Sequence, residues 1–256
     1  MSESLRPVAL IVGASSGVGR ALAENCAKNG FDLILISRET LDLEAVASDC
    51  RIRHRINAKI IPLDLGAIGF HASQLLQWIR EQGEGNCRVN YAFLVAGANS
   101  DADVGVPPEV TLLQMARVNF LAPAQIFCLL AAESETLGLK TVVACSSIAA
   151  SVPRRRNLGY ASAKAALTTF CLGLRHHFAF SASDVRVQIY CLGYVDTGLS
   201  FGQRLLFPVA SPRQVAEKIC QDLDKDIGAV FFPGYWRWIV FILRILPWSI
   251  YKRLKF

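Results

Sequence analysis

Two residues in the second half of the chain, Tyr160 and Lys164, have the types and the spacing for acid–base chemistry. They open a predicted helix, and residues four apart share a helix face. A free tyrosine titrates near pH ~10, and a neighbouring ammonium favours the phenolate, so such a pair can exchange a proton closer to neutral pH. Ser146 and Ser147 end the apolar run before this helix and offer a hydroxyl that could hold a carbonyl oxygen. The same spacing also fits an ordinary surface pair.

A glycine-rich turn, GASSGVG, follows the apolar run VALIV and precedes a helical stretch. Strand, glycine turn and helix are the context of a dinucleotide site, in which Gly13 allows a tight turn, Gly17 lets the backbone approach the pyrophosphate and Gly19 permits close helix packing. The helix N-terminus attracts phosphates. The alternative is a turn that binds nothing. The cofactor-binding residues predicted in the turn are Gly13, Ser15, Ser16, Gly17, Val18 and Gly19.

Seven short apolar runs alternate with segments of helix length. The runs lie at 8–12, 31–37, 58–64, 90–97, 140–147, 185–193 and 228–234. Because they are continuously apolar instead of alternating, both faces of the sheet are expected to be covered. The pattern predicts an α/β protein with a single-domain Rossmann fold, a doubly wound seven-stranded parallel sheet with helices on both faces.

Composition narrows the class of protein. The 256 residues are 52% hydrophobic and 19% charged, which excludes a disordered or collagen-like chain. Of the net charge of +6, five cations and no acid fall in residues 227–256, so the basic balance reflects one tail and predicts no nucleic-acid partner. No run of about 18 uncharged apolar residues occurs, so a membrane-spanning helix is not expected.

The eight cysteines show no CxxC pair and no metal-ligand spacing. We interpret them as reduced thiols, most of them buried, in a cytoplasmic protein without a bound metal. The segment MSESLRP has no apolar signal-peptide core, which agrees with that location.

The ordered set GASSGVG, Asn119 in ARVNF, CSS at 145–147 and YASAK at 160–164 resembles the short-chain dehydrogenase/reductase family over essentially the whole chain. The resemblance implies that Tyr160 donates a proton to a substrate carbonyl and that Lys164 lowers its pKa and holds the nicotinamide ribose. It further implies that Ser147 orients the substrate oxygen and that Asn119 supports a water linking Lys164 to solvent. A non-catalytic nucleotide-binding scaffold would need a broken set, and all four positions are intact.

Other cofactor contacts follow from the same resemblance. The family segment NNAG is reduced here to LVAG, which keeps the backbone positions Ala96 and Gly97 and loses a polar side chain. The usual Pro-Gly after strand six is Leu-Gly. The nicotinamide-amide contacts are expected at Gly193, Val195 and Thr197, and the adenine contacts at Asp64 and Leu65.

The second strand ends in Ser37 and Arg38, where a carboxylate would bind a ribose diol. A hydroxyl followed by arginine suits a 2′-phosphate instead. NADP(H) is therefore favoured and NAD(H) remains an alternative. Arg38 could also be a solvated residue at a helix start.

The chain divides by composition into 1–234, the dinucleotide-binding catalytic domain, and 235–256, an amphipathic, basic, Trp-rich segment packed on or beside it. Trp, Tyr and Phe mixed with Arg and Lys are typical of a helix in a membrane interface. A hydrophobic helix that closes the substrate pocket, or a dimer contact, is equally compatible.

The loop before Tyr160 and the tail are also similar to the decaprenylphosphoryl-2-keto-β-D-erythro-pentose reductases. That resemblance implies reduction of a polyprenyl-phosphate-linked keto-sugar at the inner face of the membrane, with a flavin oxidase as partner, and the wider family implies a homo-oligomer. Arg154, Arg155 and Arg156 form a charge run before Tyr160, and most such runs are solvated loops. The alternative is a clamp for an anionic group of the substrate, with Arg155 and Arg156 as the predicted contacts. The alternative substrates are other apolar ketones, 3-oxoacyl or steroid-like.

Overall fold

The computed structural model describes residues 6–82, 88–152, 154–198 and 207–254. Seven strands fall within the predicted runs. They are β1 Val8–Val12, β2 Asp32–Ser37, β3 Ala58–Pro62, β4 Tyr91–Leu94, β5 Thr141–Ser147, β6 Arg186–Leu192 and β7 Ala229–Phe232.

The strands form one parallel sheet in the order β3-β2-β1-β4-β5-β6-β7. The order reverses beside β1, whose Ile11 is aligned with Leu35 of β2 on one side and Phe93 of β4 on the other. The predicted doubly wound Rossmann fold is confirmed. Its reversal point, next to the glycine turn, is where such sheets bind ligands.

The helices are α1 Gly17–Lys28, α2 Thr40–His54, α3 Ala72–Gln82, α4 Glu109–Ala116, α5 Ala122–Ala132, α6 Ser134–Leu137, α7 Leu158–Phe180, α8 Pro212–Asp222, α9 Trp236–Ile245 and α10 Trp248–Tyr251. Helices α1 to α8 lie between successive strands, and α9 and α10 follow β7. A π-helical turn at Arg117–Leu121 joins α4 to α5, and a 3₁₀ turn at Ile148–Ala150 follows β5.

Two buried apolar clusters lie on opposite faces of the sheet. Successive residues of β1 point to opposite faces, so Ile11 packs in the cluster formed with α1, α2 and α8, whereas Leu10 and Val12 pack in the cluster formed with α3, α5 and α7. Helices on both faces explain why the strands read as continuous apolar runs.

One helical stretch among the described residues, Glu109–Ala132, is long and apolar enough to cross a bilayer by length and composition. It comprises α4, the π turn and α5. Ile126, Phe127 and Leu130 of this stretch are fully buried in the core cluster beneath α5. Packing against the sheet therefore accounts for its apolar character.

Candidate active site

The predicted site residues meet at the carboxyl edge of the sheet. The glycine turn follows β1, Ala96 and Gly97 follow β4, Ser147 ends β5 and Gly193 follows β6. Because parallel strands all end at the same edge, segments far apart in sequence come together there.

Close backbone packing makes the glycine turn dependent on its glycines. Gly13 has φ +94°, and a Cβ there would lie 2.8 Å from the Ala96 backbone. A Cβ on Gly19 would lie 1.9 Å from the carbonyl oxygen of Gly13. Ser16 begins α1 without a side-chain cap, so the first-turn N–H groups are left for another acceptor. These features fit a pyrophosphate bound at the start of α1.

The residues predicted to contact the adenosine half lie beside this turn. The Ser15 hydroxyl is 2.8 Å from the Ser37 hydroxyl, which ties the glycine turn to the end of β2. Arg38 follows with an exposed side chain. Asp64 is exposed and accepts a hydrogen bond from the Gly66 N–H at 2.9 Å, whereas Leu65 is buried.

Tyr160 lies in the first turn of α7, close to the Ser147 side chain at the end of β5. Burial raises the pKa of the phenol, while the Ser147 hydroxyl and the positive charge of Arg154 act in the opposite direction. Ser147 Oγ also accepts the Ala149 N–H at 3.1 Å, which fixes its position at the end of β5. The two hydroxyls predicted to act on one carbonyl oxygen are thus adjacent.

Lys164 is 3% exposed, and its ammonium donates to the carbonyls of Cys145 at 3.0 Å and Ala96 at 3.3 Å. Burial lowers the pKa of Lys164 to about 8. The ammonium is 6.0 Å from the ring centroid of Tyr160. The ammonium is directed at the strand ends, and burial is the largest influence on the phenol; that Lys164 lowers the pKa of Tyr160 stays a prediction.

Asn119 is fully buried in the π-helical turn between α4 and α5. In this turn the Ala122 N–H bonds the carbonyl of Arg117, five residues back. The Asn119 amide donates to the carbonyls of Met115 at 3.1 Å and Ala98 at 3.0 Å, and its oxygen accepts the Ala98 N–H at 3.1 Å. Asn119 thereby holds the segment after β4, where the chain lacks the asparagine that the family pattern carries.

Gly97 lies between Asn119 and Lys164. A Cβ on Gly97 would lie 3.3 Å from the Asn119 amide oxygen and 3.5 Å from the Lys164 ammonium nitrogen. On the other side of the site, a Cβ on Gly17 would lie 3.0 Å from the Thr197 methyl carbon, so the segment after β6 closes over the glycine turn. Val195, in that segment, is buried.

Residues 7–204 match the short chain dehydrogenase family, which covers most of the chain. The protein belongs to this family. It is therefore an NAD(P)-dependent oxidoreductase, as its sequence motifs predict.

Relatives and solved structures agree with that assignment. This short-chain dehydrogenase is 26% identical to an uncharacterized oxidoreductase of Mycobacterium tuberculosis over 96% of both chains. It is 30% identical to a hydroxysteroid 11-beta-dehydrogenase 1-like protein of Danio rerio over 76% of this chain and 67% of that one. The fold matches a short-chain dehydrogenase from Sphingobium yanoikuyae in complex with NADPH, with TM-score 0.77 and 20% identity over 97% and 96% of the two chains.

The short-chain dehydrogenase has one site residue that the sequence reading missed, Asp103. Its carboxylate is fully buried and accepts the N–H groups of Gly159 at 2.9 Å and Tyr160 at 2.8 Å. Its carbonyl accepts the N–H of Asn157 at 2.7 Å. The signal was a carboxylate in a loop of small residues, but its partner lies 56 residues away and nothing local indicates it.

The three arginines before Tyr160 differ in their surroundings. Arg155 and Arg156 are exposed, and Arg156 pairs through its backbone with Val104. Arg154 is half-buried, its charge acts on Tyr160, and within the described residues its enclosed Nε has no hydrogen-bond partner. Of the three, Arg154 is the one whose charge acts on Tyr160, whereas the substrate contacts were predicted at Arg155 and Arg156.

The segment 235–256, described as far as residue 254, contacts the same edge through α9. Trp236 is 4% exposed and packs edge-on against Tyr194 and Phe207. Arg244 Nε donates to the carbonyl of Ser151 at 3.1 Å. The helix therefore touches the loops after both β5 and β6.

Proposed function

We propose that this short-chain dehydrogenase reduces a ketone with NADP(H), using Asn119, Ser147, Tyr160 and Lys164. The observation that carries the proposal is that the Ser147 hydroxyl and the buried ammonium of Lys164 both lie beside Tyr160 at the carboxyl edge of the sheet. A carbonyl oxygen that accepts from both hydroxyls would be polarised and positioned for protonation.

The residues around the glycine turn fit a dinucleotide. Uncapped N–H groups of α1 suit the pyrophosphate, the Thr197 segment closes over it, and Gly97 leaves room beside Lys164 for the ribose. When bound, the nicotinamide supplies the hydride. We also propose that Gly193 and Val195 contact the nicotinamide amide.

Side chains of the protein donate the proton to the substrate oxygen and position that oxygen. Burial keeps the Tyr160 phenol protonated at neutral pH, so it can donate to the substrate oxygen. Ser147 holds that oxygen, and the Lys164 ammonium provides positive charge within reach of the ring. Asn119 fixes the backbone on which the Lys164 side of the site rests.

The end of β2 favours NADP(H), with NAD(H) the alternative. Ser37 is held by Ser15 and Arg38 is exposed, so a hydroxyl and a guanidinium are available to a 2′-phosphate where no carboxylate is present. The structural relative from Sphingobium yanoikuyae is in complex with NADPH, which supports the same preference.

For the substrate we propose a lipid-linked keto-sugar bearing a phosphate. The Nε of Arg154, half-buried near Tyr160 and without a hydrogen-bond partner in the described part of the chain, favours an anionic group in the substrate. The resemblance of the preceding loop and of the tail to polyprenyl-phosphate keto-pentose reductases points the same way, and it implies a flavin oxidase that supplies the ketone at the cytoplasmic face of a membrane. The hydroxysteroid-dehydrogenase-like relatives favour a second candidate, a steroid-like ketone.

Tyr160→Phe tests the reaction. The variant should lose at least ~10²-fold in ketone reduction, because its proton donor is gone, while NADPH binding stays close to wild type. Tyr91→Phe is the control, since Tyr91 starts β4 and contacts Asp224 away from the site. Normal turnover by the Tyr160→Phe variant would contradict the proposal.

The substrate is tested by comparing a polyprenyl-phosphate 2-ketopentose with a steroid ketone. Arg154→Gln should weaken turnover of the phosphate-bearing ketone at least about tenfold more than turnover of the steroid, because a charge-assisted hydrogen bond is lost only from the former, whereas the effect of this charge on Tyr160 is common to both. Arg155→Gln, with an exposed side chain, is the matched control. Turnover of the steroid alone by the wild type would assign the site to that class.

A further inference from the structure

The outward side of α9 carries an apolar stripe. Trp238, Phe241, Ile242 and Ile245 follow the spacing of one helix face and are 58%, 57%, 54% and 63% exposed. A surface helix normally turns polar residues to water on the side away from the core. This stripe therefore indicates a face that is covered by something other than water.

The other side of α9 is already packed against the protein. Trp236 and Val240 are 4% and 3% exposed and lie opposite the stripe on the helix. The stripe is thus not an unpacked core face, since the helix has its contact with the sheet edge. The short helix α10 continues the exposed surface with Trp248 and Ile250, which are 71% and 50% exposed.

Cations lie on one flank of this apolar surface and at the end of α10. Arg237 lies over the Trp238 ring, 4.6 Å from its centroid, and Arg244 lies seven residues later on the same flank. Lys252 and Arg253 are exposed at the end of α10. No aspartate or glutamate occurs in residues 227–256.

We propose that the outward face of α9 and α10 docks on an anionic lipid bilayer. Exposed tryptophan and aliphatic side chains flanked by cations match the interface between acyl chains and acidic headgroups. With ten residues, α9 is too short to span and would lie in the plane of the interface. A second copy is a poorer occupant, because a two-fold contact through this face would bring cations together without carboxylates.

Docking there would turn the site toward the membrane. Trp236 packs in the space above Gly193, and Arg244 bonds the Ser151 carbonyl in the loop that leads to Tyr160. The lipid-facing stripe is therefore on the helix that borders the carboxyl edge of the sheet. The proposal concerns this surface alone and holds whichever ketone is reduced.

Sedimentation with vesicles tests it without any substrate. The wild-type protein is mixed with phosphatidylcholine vesicles with and without phosphatidylglycerol, at low and at high salt. The variant is Trp238→Ser/Phe241→Ser, whose two side chains are exposed. The control is Leu41→Ser/Ile52→Ser, which removes two still more exposed apolar side chains, 87% and 79% accessible, from α2. Circular dichroism and NADPH binding show that each variant is folded.

We expect the wild type and the α2 control to sediment with anionic vesicles and less so at high salt, because salt screens the cations. The α9 variant should bind at least about tenfold more weakly, since two interfacial aromatic side chains are lost. Failure of the wild type to sediment, or equal sedimentation of the α9 variant, overturns the proposal. The proposal is also overturned if the wild type does not bind vesicles and the α9 variant has half the molecular mass of the wild type in light scattering. That result would assign the face to a contact with a second copy of the chain.

Discussion

At the scale of single residues, burial determines the protonation of both titratable groups in the site. It disfavours the charged form of each, so it raises the pKa of Tyr160 and lowers that of Lys164 to about 8. A neutral phenol at physiological pH is the form that can donate a proton to a carbonyl. The buried Tyr160 is therefore in the protonation state that ketone reduction needs. Oxidation of an alcohol would need its phenolate form, which burial disfavours.

The buried charge of Lys164 makes stability depend on pH. Its pKa is about 8 in the fold and 10.5 ordinarily, so folding is penalised fully below pH 8 and the penalty disappears as the pH rises toward 10.5. Relative to Lys164→Met, the wild type should gain about 3 kcal/mol of unfolding free energy across this interval. Urea unfolding at several pH values measures the difference.

A control keeps this prediction specific. Lys140→Met, which removes an exposed lysine beside β5, should show a difference from wild type that is nearly independent of pH. A Lys164→Met difference that is equally flat would mean that the lysine is not held in a charge-disfavouring environment.

Arg38 is predicted to distinguish the two nicotinamide cofactors. Arg38→Asp should lower the affinity for NADPH by at least about tenfold, because it replaces a charge-assisted bond to the 2′-phosphate with repulsion. NADH affinity should change little. Fluorescence titration measures the affinity for both cofactors. The control is Lys28→Asp, which makes the same charge change at the end of α1 away from the glycine turn and should affect neither affinity. Equal losses for both cofactors would refute the role of Arg38.

At the scale of the secondary-structure elements, Asp103 controls how α7 begins. Its carboxylate caps the two N–H groups at Gly159 and Tyr160, so it positions the first turn of the helix and the tyrosine in it. A negative charge at a helix N-terminus also interacts favourably with the helix dipole. Asp103 is a positioning residue.

Asp103→Asn should therefore reduce stability by about 1–3 kcal/mol, since an amide offers one acceptor where two N–H groups are buried. The turnover number should fall while NADPH affinity remains, because Tyr160 shifts relative to Ser147 and the glycine turn does not. Asp101→Asn, two residues away and exposed, should change neither quantity. Unaltered turnover in a destabilised Asp103→Asn protein would reduce its role to stability alone.

The elements also show what the sequence could and could not predict. Every strand lies within a predicted run, because strands covered on both faces carry no polar interruption. The π turn at Arg117–Leu121 was not predicted, since the hydrogen-bond shift that creates it leaves no mark in the residue types. Asp103 was missed because its role depends on contacts with Gly159 and Tyr160, which only the folded loops bring about.

At the scale of the whole molecule, the family resemblance predicts a homo-oligomer, and α4 and α7 present exposed leucines for it. Leu113 and Leu172 are 44% and 45% exposed. Light scattering should give a multiple of the 28.1 kDa chain mass, and Leu113→Arg/Leu172→Arg should reduce it, because charges would be buried between copies. Leu41→Arg on α2 should leave the mass unchanged. A monomeric wild type would contradict the prediction.

The contact between Gly193 and Trp236 links two positions in the evolution of this chain. A methyl group at position 193 would lie 1.9 Å from the indole nitrogen, and the buried ring has no room to retreat. A residue larger than glycine at 193 is therefore incompatible with tryptophan at 236. A descendant that acquires a side chain at 193 must first have lost the large aromatic ring at 236, so we expect the two residues to covary. Laboratory evolution of the substrate range will meet the same constraint, and libraries that randomise both positions together will contain folded variants that single-site libraries lack.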